Sequence, residues 1–382
     1  MATYRVGIIG GGRMGTHYGR GYTLNPSTEV VAVADTDAEN LELFCRRFKV
    51  PGYSSYEEML KKERIDIGAP VLPVRANADA VVACARAGVK ATFCEKPLTA
   101  SLEDADRMVE ECRSRGIHFA AGLVPRNYPQ HWKARAIIEG GELGEVRSIN
   151  IYDGNGQGGC HGMNMARMFA RDAEVDWVVG WVDGDPWSDY EEGHREGERG
   201  FGAIGGYIRF RNGLECFSHY RPSARRGVEA VCERGVFASD FFSSFGLWKV
   251  PEGVEPGRLD NLKEVEGAFA PKEERTSPDG SRKRDSEGWI YPTDGMMQSI
   301  AALVDTLERG APLRLTSGDD LRKALEICIA LRESARKGHC PVRLPLEDRS
   351  LKMYPVLERW NYKKEVLGRE RYMEDMAVYK KE

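Results

Sequence analysis

Short apolar runs and helical spacings alternate through the first third of the chain. Residues 6–9 are an apolar run that stops at Gly10, the pattern of a parallel strand buried on both faces. A helix is predicted from about Met14 to Leu24, stopped by Asn25 and Pro26. Residues 30–34 form a second apolar run, after which Leu41, Phe44 and Phe48 recur at helical spacing. Residues 65–72 form a third, in which Pro70 is awkward for a central strand. Residues 78–87 read as a helix ended by Gly88, and residues 91–94 as a strand. Ser101 and Asp104 make a capping-box signature for a helix that runs to about Arg115 and closes at Gly116. Residues 119–123 are the next strand. Strands separated by helices in this way predict right-handed βαβ units and a doubly wound parallel sheet.

After about Pro125 the pattern changes. A helix over residues 130–139 ends at Gly140 and Gly141, and strand-like runs then dominate: 146–152, 177–182, 206–210, 214–220 and 228–232. Asn212-Gly213 lies between two of these runs and signals a hairpin. The second part is therefore expected to be an α+β domain with a largely antiparallel open sheet. Residues 252–287 are polar with several Gly and Pro and read as a long surface loop. Amphipathic helices are predicted over 293–309 and 317–337. The tail from Glu347 is charged but carries Met353, Tyr354, Leu357, Trp360 and Tyr362, which predicts a docked arm. The expected division is 1–124 for the parallel α/β domain, 125–345 for the α+β domain and 346–382 for the tail.

Composition narrows the function classes. A net charge of -4 over 382 residues gives no electrostatic case for nucleic acid or an anionic membrane as partner. No apolar run approaches membrane-spanning length, and the start of the chain lacks the basic and apolar regions of a signal peptide. Nine dispersed cysteines without a CxxC pair are expected to be reduced thiols of a cytoplasmic protein, most of them filling core.

Two features carry chemistry. Gly10-Gly11-Gly12-Arg13-Met14-Gly15 fits GxGxxG and sits between a strand and a helix at the start of a βαβ unit. Gly10 permits the tight turn, Gly12 the approach of a pyrophosphate, and Gly15 close packing of helix on strand. The helix N-terminus offers N–H groups to phosphates. Asp35 closes the second strand, where a carboxylate binds the adenosine ribose hydroxyls and repels a 2′-phosphate; Thr36 follows it, so NAD is favoured over NADP. Arg46 and Arg47 read as a solvated helix face. The second feature is Glu95-Lys96-Pro97, at the end of the strand 91–94. Ligands of doubly wound sheets sit outside the carboxyl ends of strands. Lys96 is either an ammonium aimed at a substrate oxygen or a solvated lysine before a loop. Pro97 is a candidate for a cis bond. The carboxylates of 183–192 lack calcium-loop spacing, and the seven histidines lack zinc spacing, so no metal is expected.

The glycine turn and Asp35, the element from Ala87-Gly88-Val89-Lys90 to Glu95-Lys96-Pro97-Leu98, and Gly141-Glu142-Leu143-Gly144-Glu145-Val146 together resemble the glucose–fructose oxidoreductase / inositol dehydrogenase / MocA family. Leu303-Val304-Asp305, Leu313, Ala324-Leu325-Glu326 and Glu333-Ser334-Ala335 extend the likeness to about Leu344. The resemblance implies an NAD-dependent oxidoreductase that moves a hydride between nicotinamide and a secondary hydroxyl of a sugar, glycoside or cyclitol. It implies dinucleotide contacts from Gly10, Gly12, Arg13, Met14, Gly15, Asp35, Pro73, Asn77, Glu95 and Lys96. Lys96 becomes the family lysine, catalytic and in contact with substrate, and His161, in His161-Gly162-Met163-Asn164-Met165-Ala166-Arg167, becomes the acid/base. From sequence alone a histidine at a helix start is more often a cap or a surface group. Arg126, Tyr128, Asp153 and Gln157 complete the expected substrate pocket, although Arg126 is equally well a structural ion-pair partner. The chain departs from the family at Gln157, which stands where an aspartate is usual and accepts no proton. Asn164 replaces a common aspartate, and Asn77 a common histidine. These departures keep open a redox-neutral NAD-dependent glycosidase and a non-enzymatic nucleotide-sensing regulator. An open antiparallel sheet further implies a homo-oligomer formed through the second domain.

Overall fold

A computed structural model of the chain describes residues 3–122, 124–152, 159–187, 204–219, 224–269 and 294–354. The described residues divide into two units, one of 3–122 with 294–319, the other of 124–269 with 320–354.

The first unit is a parallel sheet of β1 (Tyr4–Ile9), β2 (Thr28–Ala34), β3 (Gly52–Tyr53), β4 (Ile67–Pro70), β5 (Ala91–Cys94) and β6 (His118–Ala121). Its order is β3-β2-β1-β4-β5-β6. Helices α1 (Arg13–Leu24), α2 (Ala38–Phe48), α3 (Tyr56–Lys62), α4 (Val74–Arg86) and α5 (Leu102–Ser114) make the crossovers. The short β3 and α3 had no clear apolar signature in the sequence. Pro70 is accommodated because it is the last residue of β4, where its carbonyl still accepts from Glu95 N at 2.8 Å. Both sheet faces are buried. Val6, Ile8, Tyr18, Tyr22 and Phe44 pack on one side, and Ile9, Met59, Ala80 and Cys84 on the other. The Val, Ile, Phe and Met side chains among them each contribute roughly 1.5–3 kcal/mol by leaving water. Strand order reverses at β1, between β2 and β4, so the ligand crevice of this fold lies at the carboxyl ends of β1 and β4.

The second unit begins with a 3-10 turn, Pro125–Asn127, and α6 (Pro129–Glu139). Then come β7 (Val146–Ile151), α7 (Gly162–Phe169), β8 (Val175–Val182), β9 (Ile204–Phe210), β10 (Glu215–Ser218), β11 (Val228–Cys232), β12 (Gly235–Ser239), β13 (Phe245–Lys249) and β14 (Lys263–Glu264). Helix α8 (Asp294–Arg309) belongs to the first unit, where Met296, Ile300 and Leu303 join the core beside Tyr18 and Tyr22. Gly21 admits it: a Cβ there would stand 2.8 Å from Met296 Sδ. Helix α9 (Gly318–Arg336) and β15 (Val342–Arg343) close the second unit, whose sheet order is β14-β13-β12-β11-β7-β10-β9-β8-β15. Only the β7–β10 pair is parallel among these ladders. Gly180 and Gly206 let α9 lie flat on the sheet, since a Cβ on Gly180 would meet Leu331 O at 2.0 Å. The Asn212-Gly213 hairpin is formed, with Gly213 at φ +90° and Asn212 Oδ1 accepting from Leu214 N. Part of the segment expected as a surface loop, 252–287, instead supplies β14, paired to β13. Tyr220, the acidic residues 188–192, and Leu357, Trp360 and Tyr362 of the tail lie outside the described residues.

Candidate dinucleotide and substrate site

The glycine turn has the geometry its chemistry needs. Gly10 has φ +99°, and a Cβ there would lie 2.4 Å from Val71 O; only glycine fits. A Cβ on Gly15 would lie 1.8 Å from Gly10 O, so the first turn of α1 packs directly on the loop. Gly12 is the N-cap of α1 and has no side chain to cap that end, and the first amides of such a helix suit an anion. Asp35 follows β2 and ties the turn together: Oδ2 accepts from Gly11 N at 2.7 Å and Oδ1 from Asp37 N at 2.8 Å. Asp37 in turn caps α2 through the amides of Glu39 and Asn40. The carboxylate is thus fixed, half-buried, at the carboxyl end of β2. Arg13 and Met14 open α1, and Pro73 is the N-cap of α4, after β4. These residues fit a dinucleotide.

Lys96 is placed by its neighbours. The Lys96–Pro97 peptide is cis. Asn77, on α4 and 1% exposed, donates through Nδ2 to Pro97 O at 3.0 Å and reaches Glu95 O at 3.5 Å. Its Oδ1 is buried and meets no donor among the described residues. Asn77 is therefore occupied with the backbone on either side of Lys96. Gly122, just beyond β6, lets the step approach: a Cβ there would lie 2.6 Å from Lys96 N and 2.7 Å from Glu95 Oε2. Glu95 is buried, and its carboxylate meets Tyr18 Oη at 2.5 Å and Lys96 Nζ at 3.9 Å. The glycine turn, Asp35, Asn77, Glu95 and Lys96 all stand at the carboxyl edge of one sheet. Tyr18 and Gly122 were not legible as site residues, since each acts through a contact distant in sequence.

In the second unit His161 is the N-cap residue of α7, and its ring meets Phe242 edge-on at 5.4 Å. Phe242 also contacts Tyr128, at 5.9 Å, so one aromatic side chain separates the two predicted residues. The turn that presents Phe242 is built by Asp240. Its carboxylate accepts from the amides of Phe242, Ser243 and Ser244 and from the Ser243 hydroxyl. Burial alone would raise the Asp240 carboxyl; those donors outweigh it and hold it below its ordinary value. Arg126 is in a different setting. Its guanidinium is bidentate on Asp172, at 2.6 and 2.9 Å, lies 3.6 Å from Asp320, and covers the ring of Trp132. Arg135 shares Asp172, and Arg167 pairs with Asp320 at 2.9 Å. The geometry is that of a buried ion-pair network. Asp153 and Gln157 lie outside the described residues. Among the described residues no three His, Cys, Asp or Glu side chains gather as metal ligands.

Sheet order, glycine turn and ribose-side carboxylate define the first unit as a dinucleotide-binding α/β domain. Residues 4–123 match the GFO_IDH_MocA model, an oxidoreductase family with an NAD-binding Rossmann fold. It is 31% identical to trans-1,2-dihydrobenzene-1,2-diol dehydrogenase of Mus musculus over 146 residues, 37% of this chain and 44% of the relative. It is 28% identical to myo-inositol 2-dehydrogenase of Thermotoga maritima over 148 residues, 38% of this chain and 44% of the relative. The matched region thus spans less than half the length of either curated relative. In fold it resembles a levoglucosan dehydrogenase solved with NADH and levoglucosan, with TM-score 0.66 and 19% identity over 90% of this chain and all of that one.

Proposed function

We propose that the protein is an NAD-dependent oxidoreductase acting on a secondary hydroxyl of a sugar, glycoside or cyclitol. The observation that carries this reading is the placing of Lys96 at the carboxyl edge of the sheet whose neighbouring strands end in the glycine turn and Asp35. The activities in the names of the diol and inositol dehydrogenases, and the levoglucosan bound in the structural relative, support the substrate class. The bound nicotinamide supplies the hydride acceptor or donor. In this reading Lys96 donates a hydrogen bond to the reacting oxygen and stabilises its developing negative charge. His161 takes the hydroxyl proton, or returns it in the reverse direction. Asp35 accepts from the ribose hydroxyls and disfavours a 2′-phosphate, so NAD is the cofactor. Asp153, Tyr128 and Gln157 remain candidate substrate contacts. No described helix is long and apolar enough to cross a membrane. Seven of the nine cysteines are buried, which supports a reducing, cytoplasmic setting.

A panel of free sugars, cyclitols and aryl glycosides, each offered with NAD and with NADP, tests the reading. NADH accumulates in step with ketone product, and NADP supports slower turnover. Phenol released over many turnovers without net NADH would replace dehydrogenase chemistry by the redox-neutral glycosidase. Binding of NAD without turnover of any compound would favour a regulator.

We also propose a homo-oligomer formed through the open sheet. Trp177, Tyr207 and Phe217 run in ring contact across β8, β9 and β10, and Phe217 is 41% exposed. Such a patch marks an interaction surface. Light scattering of Phe217→Asp is expected to give a smaller particle than wild type; an unchanged particle, or a monomeric wild type, sinks the assignment.

A further inference from the structure

The turn between β12 and β13 is strained, and it presents one side chain. Phe241 has φ +79°, in the left-handed region that a bulky residue rarely enters. Polar groups of the turn hold it there. Ser239 Oγ accepts from Phe241 N at 2.9 Å, and the Asp240 carboxylate accepts from the amides of Phe242, Ser243 and Ser244 at 3.0, 2.6 and 2.8 Å. The two adjacent phenylalanines part company: Phe241 is fully buried, whereas Phe242 is half-buried. The Phe242 ring stands at 90° to the ring of His161 and at 71° to that of Tyr128, with centroids 5.4 and 5.9 Å away. A half-buried aromatic ring is thereby fixed beside two side chains expected to meet substrate.

The same framework holds Tyr128. His131 is fully buried, with Nδ1 against Pro125 O and Nε2 against Ser239 Oγ. Its amide donates to Tyr128 O at 3.0 Å. One histidine thus spans from the stretch 125–128 to the turn that carries Phe242. Rings fixed in advance lower the ordering cost of binding.

We propose that Phe242 is a specificity-determining residue, which takes the apolar C–H face of a pyranose or cyclitol ring against its own ring. An aromatic side chain gives such a face a large flat contact. Small-molecule sites combine apolar walls of this kind with a few polar groups that fix orientation. The spacing from Phe242 to His161 is close to the breadth of one sugar ring with its hydroxyls, so a ring hydroxyl that reaches His161 brings the C–H face onto Phe242. An open-chain polyol offers the same hydroxyls and no such face. This rests on the reading of His161 and Tyr128 as substrate contacts.

The test uses the full chain saturated with NADH and three probes. Myo-inositol and methyl β-glucoside are the rings; sorbitol carries as many hydroxyls as inositol on an open chain. Kd is read by ligand-observed saturation-transfer NMR, which needs no turnover. Wild type is expected to hold at least one ring probe more tightly than sorbitol, by about tenfold. Phe242→Leu keeps an apolar side chain on the turn and removes the flat ring, so the preference for rings falls by about tenfold. A residue that only packs would shift all three probes together. A wild type without the ring preference, or Phe242→Leu with the preference intact, overturns the inference. If Phe242→Leu does not fold, wild type grown with ring-deuterated phenylalanine decides it. Saturation transfer to the C–H protons of the bound ring then falls by about twofold or more, and unchanged transfer overturns the inference. The ring preference and its loss, in a protein that oxidises none of the probes, would leave the inference standing and defeat the proposed activity.

Discussion

Lys96→Ala is expected to lose about three orders of magnitude in kcat, the scale on which removal of one preorganised donor to a developing oxyanion falls. On the proposed reading the dinucleotide is held by the glycine turn, the first amides of α1 and Asp35, on strands other than the one that ends at Lys96. The Kd for NADH therefore stays within about twofold, and the loss appears in kcat rather than in cofactor affinity. Lys96→Arg is not expected to restore activity, because a planar guanidinium replaces a compact point charge. Two measurements decide the matter: stopped-flow NADH formation for kcat, and NADH fluorescence for Kd. A variant that turns over within tenfold of wild type would return Lys96 to the solvated lysine before a loop.

The parallel sheet was legible because both of its faces are buried. Strands such as β1 and β2 then carry the apolar runs 6–9 and 30–34, which stand out between helical spacings. The elements that escaped are those whose stability comes from neighbours. β12 and β13 are short and alternate weakly, and β14 is two exposed residues held by pairing with β13. Helix α8 was legible as a helix; its membership of the first unit was not, since Gly21 reads only as a weak point in α1 until Met296 is seen against it.

The candidate site shows the same division. Gly10, Gly15 and Asp35 act through local backbone geometry, which the GxGxxG spacing encodes. Lys96 was found by its place at a strand end. Its supports were not, because Tyr18, Asn77 and Gly122 reach the Glu95–Pro97 step from three elements distant in sequence. For Arg126 the sequence left a pocket role and a structural ion pair equally open. Its partner could not be read from the sequence, because the guanidinium is engaged by Asp172, 46 residues away.

A second large effect belongs to a histidine that sequence patterning passed over. His131 is fully buried on α6, ringed by Phe237, Phe245, Phe169 and Tyr128. Nδ1 lies 2.8 Å from Pro125 O and Nε2 lies 3.1 Å from Ser239 Oγ. A carbonyl only accepts, so Nδ1 carries the proton and Nε2 takes the serine hydroxyl. The ring is satisfied while neutral, and burial pulls its pKa down from 6.5 to about 4, against the weaker opposing pulls of the Pro125 carbonyl and Asp240. In the unfolded chain the same ring takes up a proton near pH 6.5. Between those values the unfolded state binds more protons than the folded one, so acid favours unfolding. Urea unfolding is expected to show stability falling by about 3 kcal/mol from pH 6.5 to pH 4 on this account. Below about pH 4 this slope ends, and loss continues as Asp172 and Asp240, both held below their ordinary values, take up protons. In His131→Gln the amide does not titrate. The variant is less stable than wild type at pH 7, where the fitted ring is lost, yet its stability is nearly flat from pH 6.5 to pH 4. A wild-type curve that is flat across that window, or a His131→Gln curve as steep as wild type, would show that other groups govern its acid sensitivity.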